Sequence, residues 1–529
     1  MLVSIFNDVI GPVMRGPSSS HCAAALRIGR LALNLMDNTI NHVQVDYDVH
    51  GSLPTTHDSQ GSDMGLFGGL MGWNATDARL PDSMQILQNT GVTIDIRTVD
   101  VRDEHPNTYR LMLTNDQGTR FLRAISTGGG MIEVIQIDGF NVTLYGDAYT
   151  TLVYTSHEHL EDVLSAVSLA QADSITVVDG DSDSVLVMIT GSAFVPESIL
   201  NGPLTQGVSA IKYLKPVLPV LTTKTTTVPF TTAAELVTVW GDTGSLADAA
   251  IAYECARSGL SKEAVVEQMV DIVRILRSSI ASGLAGTDYA DRVLGFQSGG
   301  FARMLEQGRL LDAGTLNTII LYVTAMMEVK SSMGVIVAMP TAGACAALPG
   351  SVIAMAEAMH LGETEMATAL LASGLIGVFI TTAWSFAAEV GGCQAEGGSA
   401  AAMAAAALVT MAGGTVAQSL AAASMALQSM LGLICDPIAN RVEAPCLGKN
   451  VMAAANALSC ANMSLAGFDQ VIPFDEVIET AKRVSAQMPR ELRCTALGGL
   501  SITPTSKAIE LRLATVRSGC GACGSGGCG

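Results

Sequence analysis

A chain of 529 residues, 49% hydrophobic and 15% charged, exceeds the size at which one core keeps growing, so two to four domains are expected. Its formal charge of −20 argues against nucleic acid or an anionic membrane surface as partner. Aromatics are only 5%, with 53 glycines and 25 methionines, a balance that favours helices packed closely through small side chains.

The opening stretch "MLVSIFNDVIGPVMRG" has no basic start, and Asp8 interrupts its short apolar run, so it does not read as a targeting signal and a cytoplasmic location is expected. Residues 23–36 read as a helix. Residues 42–49 and 91–99 alternate apolar and polar side chains, the period of half-buried strands. Residues 109–115 and 133–146 continue that pattern, the last turning at Asp138-Gly139. Together they suggest an N-terminal α/β (α+β) domain over residues 1–147. From 148 to 220 the pattern is strand, helix, two strands, short helix, strand, with Leu160, Val163, Leu164 and Val167 spaced for one helix face. This order is ferredoxin-like and resembles an ACT-type regulatory domain. The Thr-rich residues 221–231 read as a linker.

Beyond the linker the periodicity turns helical. Val265, Val266, Met269, Ile272, Val273 and Leu276 mark one apolar face, and residues 232–517 read as a large all-α domain. Residues 399–434 carry no charge and are long enough to span a bilayer. They are rich in Ala and Ser and contain Gln418 and Gln428, so a buried helix pair broken near 412–415 is expected rather than a membrane span. Residues 518–529 form a glycine-rich tail with Cys520, Cys523 and Cys528.

Eleven cysteines without a targeting signal read as reduced thiols, metal ligands or catalytic groups. Cys255, Cys460 and Cys494 lie in helix-like surroundings and read as small core residues. Three glycine- and proline-rich loops carry the others of interest: Cys345 in "MPTAGACAALPG", Cys393 in "EVGGCQAEGGSA", and Cys435 and Cys446 in "GLICDPIANRVEAPCLG". Pro437 and Pro445 resist helix continuation, so an extended loop is expected to present the last two. Thiolates from separate loops can converge on a soft metal centre. Three would hold three corners of a [4Fe–4S] cluster, leaving one iron open as a Lewis acid. Spacing alone leaves buried, unligated cysteines as the alternative.

"RGPSSSHC" (15–22), "STGGGMIEV" (126–134), "PTAGACAALPG" (340–350), "EVGGCQAEGG" (389–398) and "CDPIANRVEAPC" (435–446) resemble, in order, the motif set of the iron–sulfur-dependent L-serine dehydratases, also called L-serine ammonia-lyases. The resemblance implies β-type and α-type domains fused in one chain, with the ACT-like unit between them. It implies that Cys393, Cys435 and Cys446 hold a [4Fe–4S] cluster, with Cys345 nearby and no pyridoxal phosphate. The implied reaction is dehydration of L-serine to pyruvate and ammonia, the implied partner a small amino acid, and the expected assembly a homodimer. Ser18, Ser19, Ser20 and His21 are hydrogen-bond donors suited to a substrate carboxylate. Gly128 and Gly129 could add backbone N–H groups, and Thr341 and Gly343 could do so from the helical domain, which would put the site between domains.

Some residues depart from the family pattern. Gln60 stands where the family carries the histidine that serves as base, and an amide does not titrate. His57 is the nearest replacement, with His50 and His105 as further candidates; His105, in "EHPNT", resembles a second site histidine. Cys22 replaces a usual threonine, and Gly397 stands where cysteine is common. By the same resemblance a tail cysteine, Cys528 first and then Cys520 or Cys523, could cap the open iron until substrate arrives. Two alternatives remain: a cluster-bearing amino-acid or redox sensor that has lost its base, and a lyase for a related β-hydroxy or β-thio amino acid.

Overall fold

The computed structural model describes residues 2–520, except 171, 182, 201–206 and 224–225, with side chains described to residue 514. Cys523 and Cys528 lie outside the described residues.

The N-terminal sheet has six strands in the order Thr93–Val99, His42–Asp48, Thr108–Asn115, Gly118–Gly128, Met131–Ile137, Phe140–Leu144; only the first pair is parallel. The expected alternation holds, with Val43, Val45 and Tyr47 buried on one face. Asp138 (φ 50°) and Gly139 (φ 90°) make the two-residue turn that Asp-Gly favours. Strand Gly118–Gly128 was not anticipated. Its buried positions are Leu122, Ala124, Ser126 and Gly128, three of the four small or polar, so the period-two signal is weak. Helices Ala24–Leu35 and Ser62–Leu70 cross beside the sheet at glycines. A Cβ on Gly65 would lie 2.0 Å from the Cys22 carbonyl oxygen, and one on Gly69 2.2 Å from that of Leu26.

The second unit is a four-stranded antiparallel sheet, ordered Ala210–Leu214, Tyr149–Ser156, Ser184–Gly191, Ser174–Asp179. With helices Leu160–Val167 and Glu197–Leu200 it realises the expected βαββαβ topology. The segment after it has no regular structure up to Ala233 among the described residues, yet it is anchored. Phe230 is buried against Tyr253 and Phe379, and Asn7 exchanges hydrogen bonds with Val220 (2.7 and 2.9 Å).

From Ala233 onward the structure is almost wholly helical. Val265, Met269, Ile272, Val273 and Leu276 of the expected face are buried, while Val266 is half-exposed. Residues 399–434 fold as the helix pair Ser399–Met411 and Val416–Gln428. Gly413 (φ 76°) breaks the first, and Thr415 and Gln418 cap the start of the second. One helix, Glu363–Ala383, is long and apolar enough to cross a membrane, and 78% of its most apolar stretch is buried inside the protein.

The first residues do not stay with the N-terminal sheet. Ile5–Val9 forms a π-turn buried in the helical region, where Ile5 and Val9 press on Gly374 and Gly377. Glu254 accepts from Ser4 Oγ (2.7 Å) and the Ile5 amide (2.8 Å), and Val13–Met14 pairs with Ile336–Val337. This crossover brings the "SSSH" turn, Ser19–Ala23, onto the helical region.

Candidate metal centre and active site

Three elements carry the sulfur atoms. Cys393 precedes a π-turn, Gln394–Gly398, that runs into Ser399–Met411. Cys446 is the first residue of helix Cys446–Leu465. It is therefore not in an extended loop as expected: Pro445, immediately before it, starts the helix instead of ending one, because the first turn needs no N–H from proline. Cys435 is tied by its amide to the Leu492 carbonyl (2.9 Å) and by its carbonyl to the Cys494 amide (3.3 Å).

The Sγ atoms of Cys393 and Cys435 and a Glu396 carboxylate oxygen lie within 4.8 Å of one another. The Cys435 thiol is within hydrogen-bonding reach of both Cys393 and Cys494, contacts that together with burial push it well above its ordinary pKa. Burial raises Cys446 likewise. Two cations face these sulfurs. Lys449 Nζ lies 3.7 Å from Cys393 Sγ and donates to the Ile434 carbonyl and Asp436 Oδ1, each at 2.7 Å. Lys330 is buried, its charge acts on Cys446, Cys345 and Glu396, and its Nζ has no hydrogen-bond partner among the described residues.

A buried ammonium without a partner is costly unless an anion sits beside it. Sulfurs clustered next to two lysines fit an anionic iron–sulfur cluster, which Cys393 and Cys435 together with Cys446 could hold.

Cys435 and Cys446 border a tight cavity of about 10 Å³, the size that holds one water, walled by Ser18, Ser20, Gln60, Gly343, Glu389, Glu396 and Cys494 among others. Ser18 Oγ lies 3.0 Å from His21 Nδ1. His21 Nε2 is 2.8 Å from Thr56 Oγ1, which itself donates to the Ser52 carbonyl, so Nε2 carries the proton. Burial lowers the His21 pKa. Ser20 Oγ donates to Glu389 Oε1 (2.9 Å), and His21 Nδ1 is 3.4 Å from the same oxygen. The other oxygen, Glu389 Oε2, is buried with no partner among the described residues. Ser19 is used structurally, accepting from the Ala342 amide (3.1 Å). Thr341 hydrogen-bonds Glu396, whose carboxyl burial pushes up to about 7. Gly343 makes room for that carboxylate, since a Cβ there would lie 2.9 Å from both its oxygens.

The histidines expected from the sequence fall elsewhere. Gln60 is buried at the cavity wall and donates to Asn440 Oδ1 (2.9 Å). His57 turns away from it, pairs with Asp63 (2.7 Å) and lines a second cavity with Asn440, Arg441, Glu510 and Leu513. Burial would lower the His57 pKa, but the Asp63 carboxylate outweighs it and the net shift is upward. His105 borders a third cavity with Gly128 and Trp384, and burial lowers its pKa. His50 is exposed beside Asp100. Gly128 (φ 107°) and Gly129 (φ 63°) pack closely on Ala387 and Pro340, and neither borders the cysteine cavity. Cys345 is buried outside the cavity lining, its thiol pushed up to about 11 by burial.

Sequence reasoning missed Glu389, Glu396, Lys330, Lys449 and Cys494. A signal existed for four of them. The two glutamates flank Cys393 inside one glycine-rich motif, and between Lys330 and Lys449 the chain has no lysine and a single arginine, Arg441. Cys494 is the correction: it borders the cavity and contacts Cys435, whereas Cys460 is the small core residue it was taken to be.

Residues 241–501 match the family model "Serine dehydratase alpha chain", a span that includes Cys393, Cys435, Cys446 and Cys494. The chain is 36% identical over 268 residues to the probable L-serine dehydratase alpha chain of Bacillus subtilis, covering 51% of this chain and 89% of that one. It is 39% identical over 150 residues to the probable beta chain of the same organism, 28% of this chain and 67% of that one. L-serine dehydratase 2 of Escherichia coli aligns along nearly the whole length, 26% identical over 519 residues, 95% of this chain and 99% of the relative. Similarity to an alpha chain, to a beta chain and to a full-length single-chain relative places this protein in the L-serine dehydratase family, with both parts fused in one polypeptide.

Proposed function

We infer that the protein is an L-serine ammonia-lyase that converts L-serine to pyruvate and ammonia. The observation that carries this is the meeting of Cys435 and Cys446 of the helical region with Ser18 and Ser20 from the other end of the chain around one cavity, with Lys330 and Lys449 acting on the sulfurs. When bound, a [4Fe–4S] cluster supplies a Lewis-acidic iron that helps the substrate hydroxyl leave.

The chain's own residues do the rest. On substrate binding the Ser18 hydroxyl turns from His21 Nδ1 to donate to the substrate carboxylate, on a turn that His21 and Thr56 hold in place. Glu389 Oε2, the buried acceptor without a partner among the described residues, takes the Cα proton while Ser20 holds its other oxygen. This moves the base from His57, whose ring faces another cavity, to Glu389. Loss of the hydroxyl then gives aminoacrylate, which tautomerises and hydrolyses. The sensor alternative rested on Gln60, and a cavity bordered by two carboxylates does not lack a proton acceptor. The four-stranded unit reads as an ACT-type regulatory domain on the strength of its βαββαβ order, and the working form as a cytoplasmic homodimer, which light scattering tests.

Anaerobically reconstituted protein should contain about four irons and four sulfides per chain and release pyruvate from L-serine. Cys393→Ala, Cys435→Ala and Cys446→Ala should each lose the cluster, and full activity in any one of them refutes that ligand set. Glu389→Gln should keep the cluster and lose about 10²- to 10⁴-fold in kcat.

A further inference from the structure

We propose that Cys435 and Cys494 form a reversible oxidation site. In the cluster-free protein a peroxide joins them as a disulfide, which guards Cys435 and blocks cluster assembly until a dithiol opens it. The bond itself rests on the geometry of the two residues; its effect on cluster assembly rests on the ligand set read above.

Both thiols are free and buried, and their sulfurs are within hydrogen-bonding reach of each other. The two segments meet as a one-residue parallel bridge between Cys435 and Arg493. In it the Cys435 amide donates to the Leu492 carbonyl (2.9 Å) and the Cys494 amide to the Cys435 carbonyl (3.3 Å). Strand neighbours sit about 4.8 Å apart, and one residue of advance adds about 3.3 Å along the chain. The Cα atoms of Cys435 and Cys494 are therefore about 6 Å apart, inside the range of about 4.4–6.8 Å that a disulfide spans. In a regular strand the residue after Arg493 would point away from Cys435. Cys494 instead has φ 56°, the left-handed region that a residue with a Cβ adopts at a cost, and its thiol turns back to the Cys435 sulfur. Cys393 also reaches Cys435, but there the backbone bond joins their neighbours, Gln394 N–H to the Leu433 carbonyl (2.9 Å).

The chemistry balances with one peroxide per bond. Hydrogen peroxide gives one oxygen to the first thiol, its O–O bond breaks, and a sulfenic acid and one water result. The second thiol displaces the sulfenic hydroxyl as a second water, and the S–S bond forms. The sulfur pair loses two electrons to the peroxide. A dithiol returns them by exchange through a mixed disulfide. Without a partner sulfur, Cys435 would oxidise onward to sulfinic acid, which a dithiol does not reverse. Cys494 thus spares a residue of the ligand set without belonging to that set.

The test treats full-length, cluster-free protein with hydrogen peroxide, alkylates the remaining thiols in denaturant and maps the peptides by mass spectrometry. Wild type and a chain ending at residue 517 should both yield a peptide pair joined through Cys435 and Cys494. Dithiothreitol should remove the link and restore uptake of about four irons per chain. In Cys494→Ser, Cys435 should instead carry sulfinic acid, and iron uptake should stay lost after dithiothreitol. A link from Cys435 to Cys393 or to a tail cysteine, or sulfinic acid on Cys435 of wild type with no link, would overturn the proposal. The wild-type map decides this even if Cys494→Ser does not fold. Reduced wild type that takes up no iron would overturn the cluster reading, while the joined peptide pair would still establish the oxidation site.

Discussion

Ser20 touches both ends of the chemistry: it borders the cavity and donates to Glu389 at 2.9 Å, a partner 369 positions away. A hydrogen bond to a charged group contributes about 1.5–3 kcal/mol, so Ser20→Ala should lower kcat/KM for L-serine by roughly 10- to 100-fold, read by anaerobic steady-state kinetics. Lys330 makes a different prediction, because its ammonium has no hydrogen-bond partner among the described residues. Lys330→Met should raise the melting temperature of the apoprotein, since an unsatisfied buried group costs about 1–3 kcal/mol. The same variant should retain less iron after exposure to air. Asp8 predicts a pH effect. Burial lifts its carboxyl from 3.8 to about 6, against the opposing pull of the Ser4 amide, Arg257 and Arg27 and with Asp147 adding to the rise. The native state therefore binds this proton more tightly than the unfolded chain. Its contribution to stability is fully present below about pH 4 and is lost as the pH rises through 6, on the order of 3 kcal/mol at most. Asp8→Asn should flatten the curve of melting temperature against pH between those values. The pairing of Ser20 with Glu389 and the pull of Arg257 on Asp8 were invisible in the sequence because those partners lie hundreds of positions away.

Elements with a strong period were legible, and elements whose packing uses small residues were not. The alternation of residues 42–49 and the spacing of Val265 to Leu276 each reflect one large apolar face against one solvated face, a contrast that survives in one dimension. Strand Gly118–Gly128 and helix Ser62–Leu70 hide that contrast because their inward positions are often Gly, Ala or Ser. The glycines of the second element are nevertheless decisive. Gly65→Ala would force a methyl to within 2.0 Å of a backbone oxygen, which must separate the two helices. A loss of about 1–3 kcal/mol, the usual cost of overpacking, is expected in urea unfolding, together with weaker substrate binding because Ser18–Ser20 lead directly into the same crossing. Proline misled once. Pro445 was read as a helix breaker, but its position one residue before the helix makes it a starter, and proline is read correctly only once its place relative to the helix is known.

The whole molecule is held together by exchange between its parts. Residues Ile5, Phe6, Val9 and Ile10 are buried in the helical region, while the chain that follows builds the N-terminal sheet. A fragment of residues 232–520 should therefore expose that slot and aggregate, and co-expression with residues 1–231 should restore a soluble complex; a soluble, helical fragment alone would contradict this. The sequence by itself determined the element classes, the βαββαβ order of the second unit and the break in the uncharged stretch at 412–415, and its motifs carried the family resemblance that singles out Cys393, Cys435 and Cys446. The elements follow from local periodicity and turn chemistry written along the chain. Tertiary structure alone decided that Cys494 joins the other sulfurs, that Lys330 and Lys449 face them, and that Glu389 rather than His57 borders the cavity. These are matters of direction. His57 and Gln60 sit on one short turn, and only the packing of that turn against Asp63 and Asn440 decides which of them looks inward.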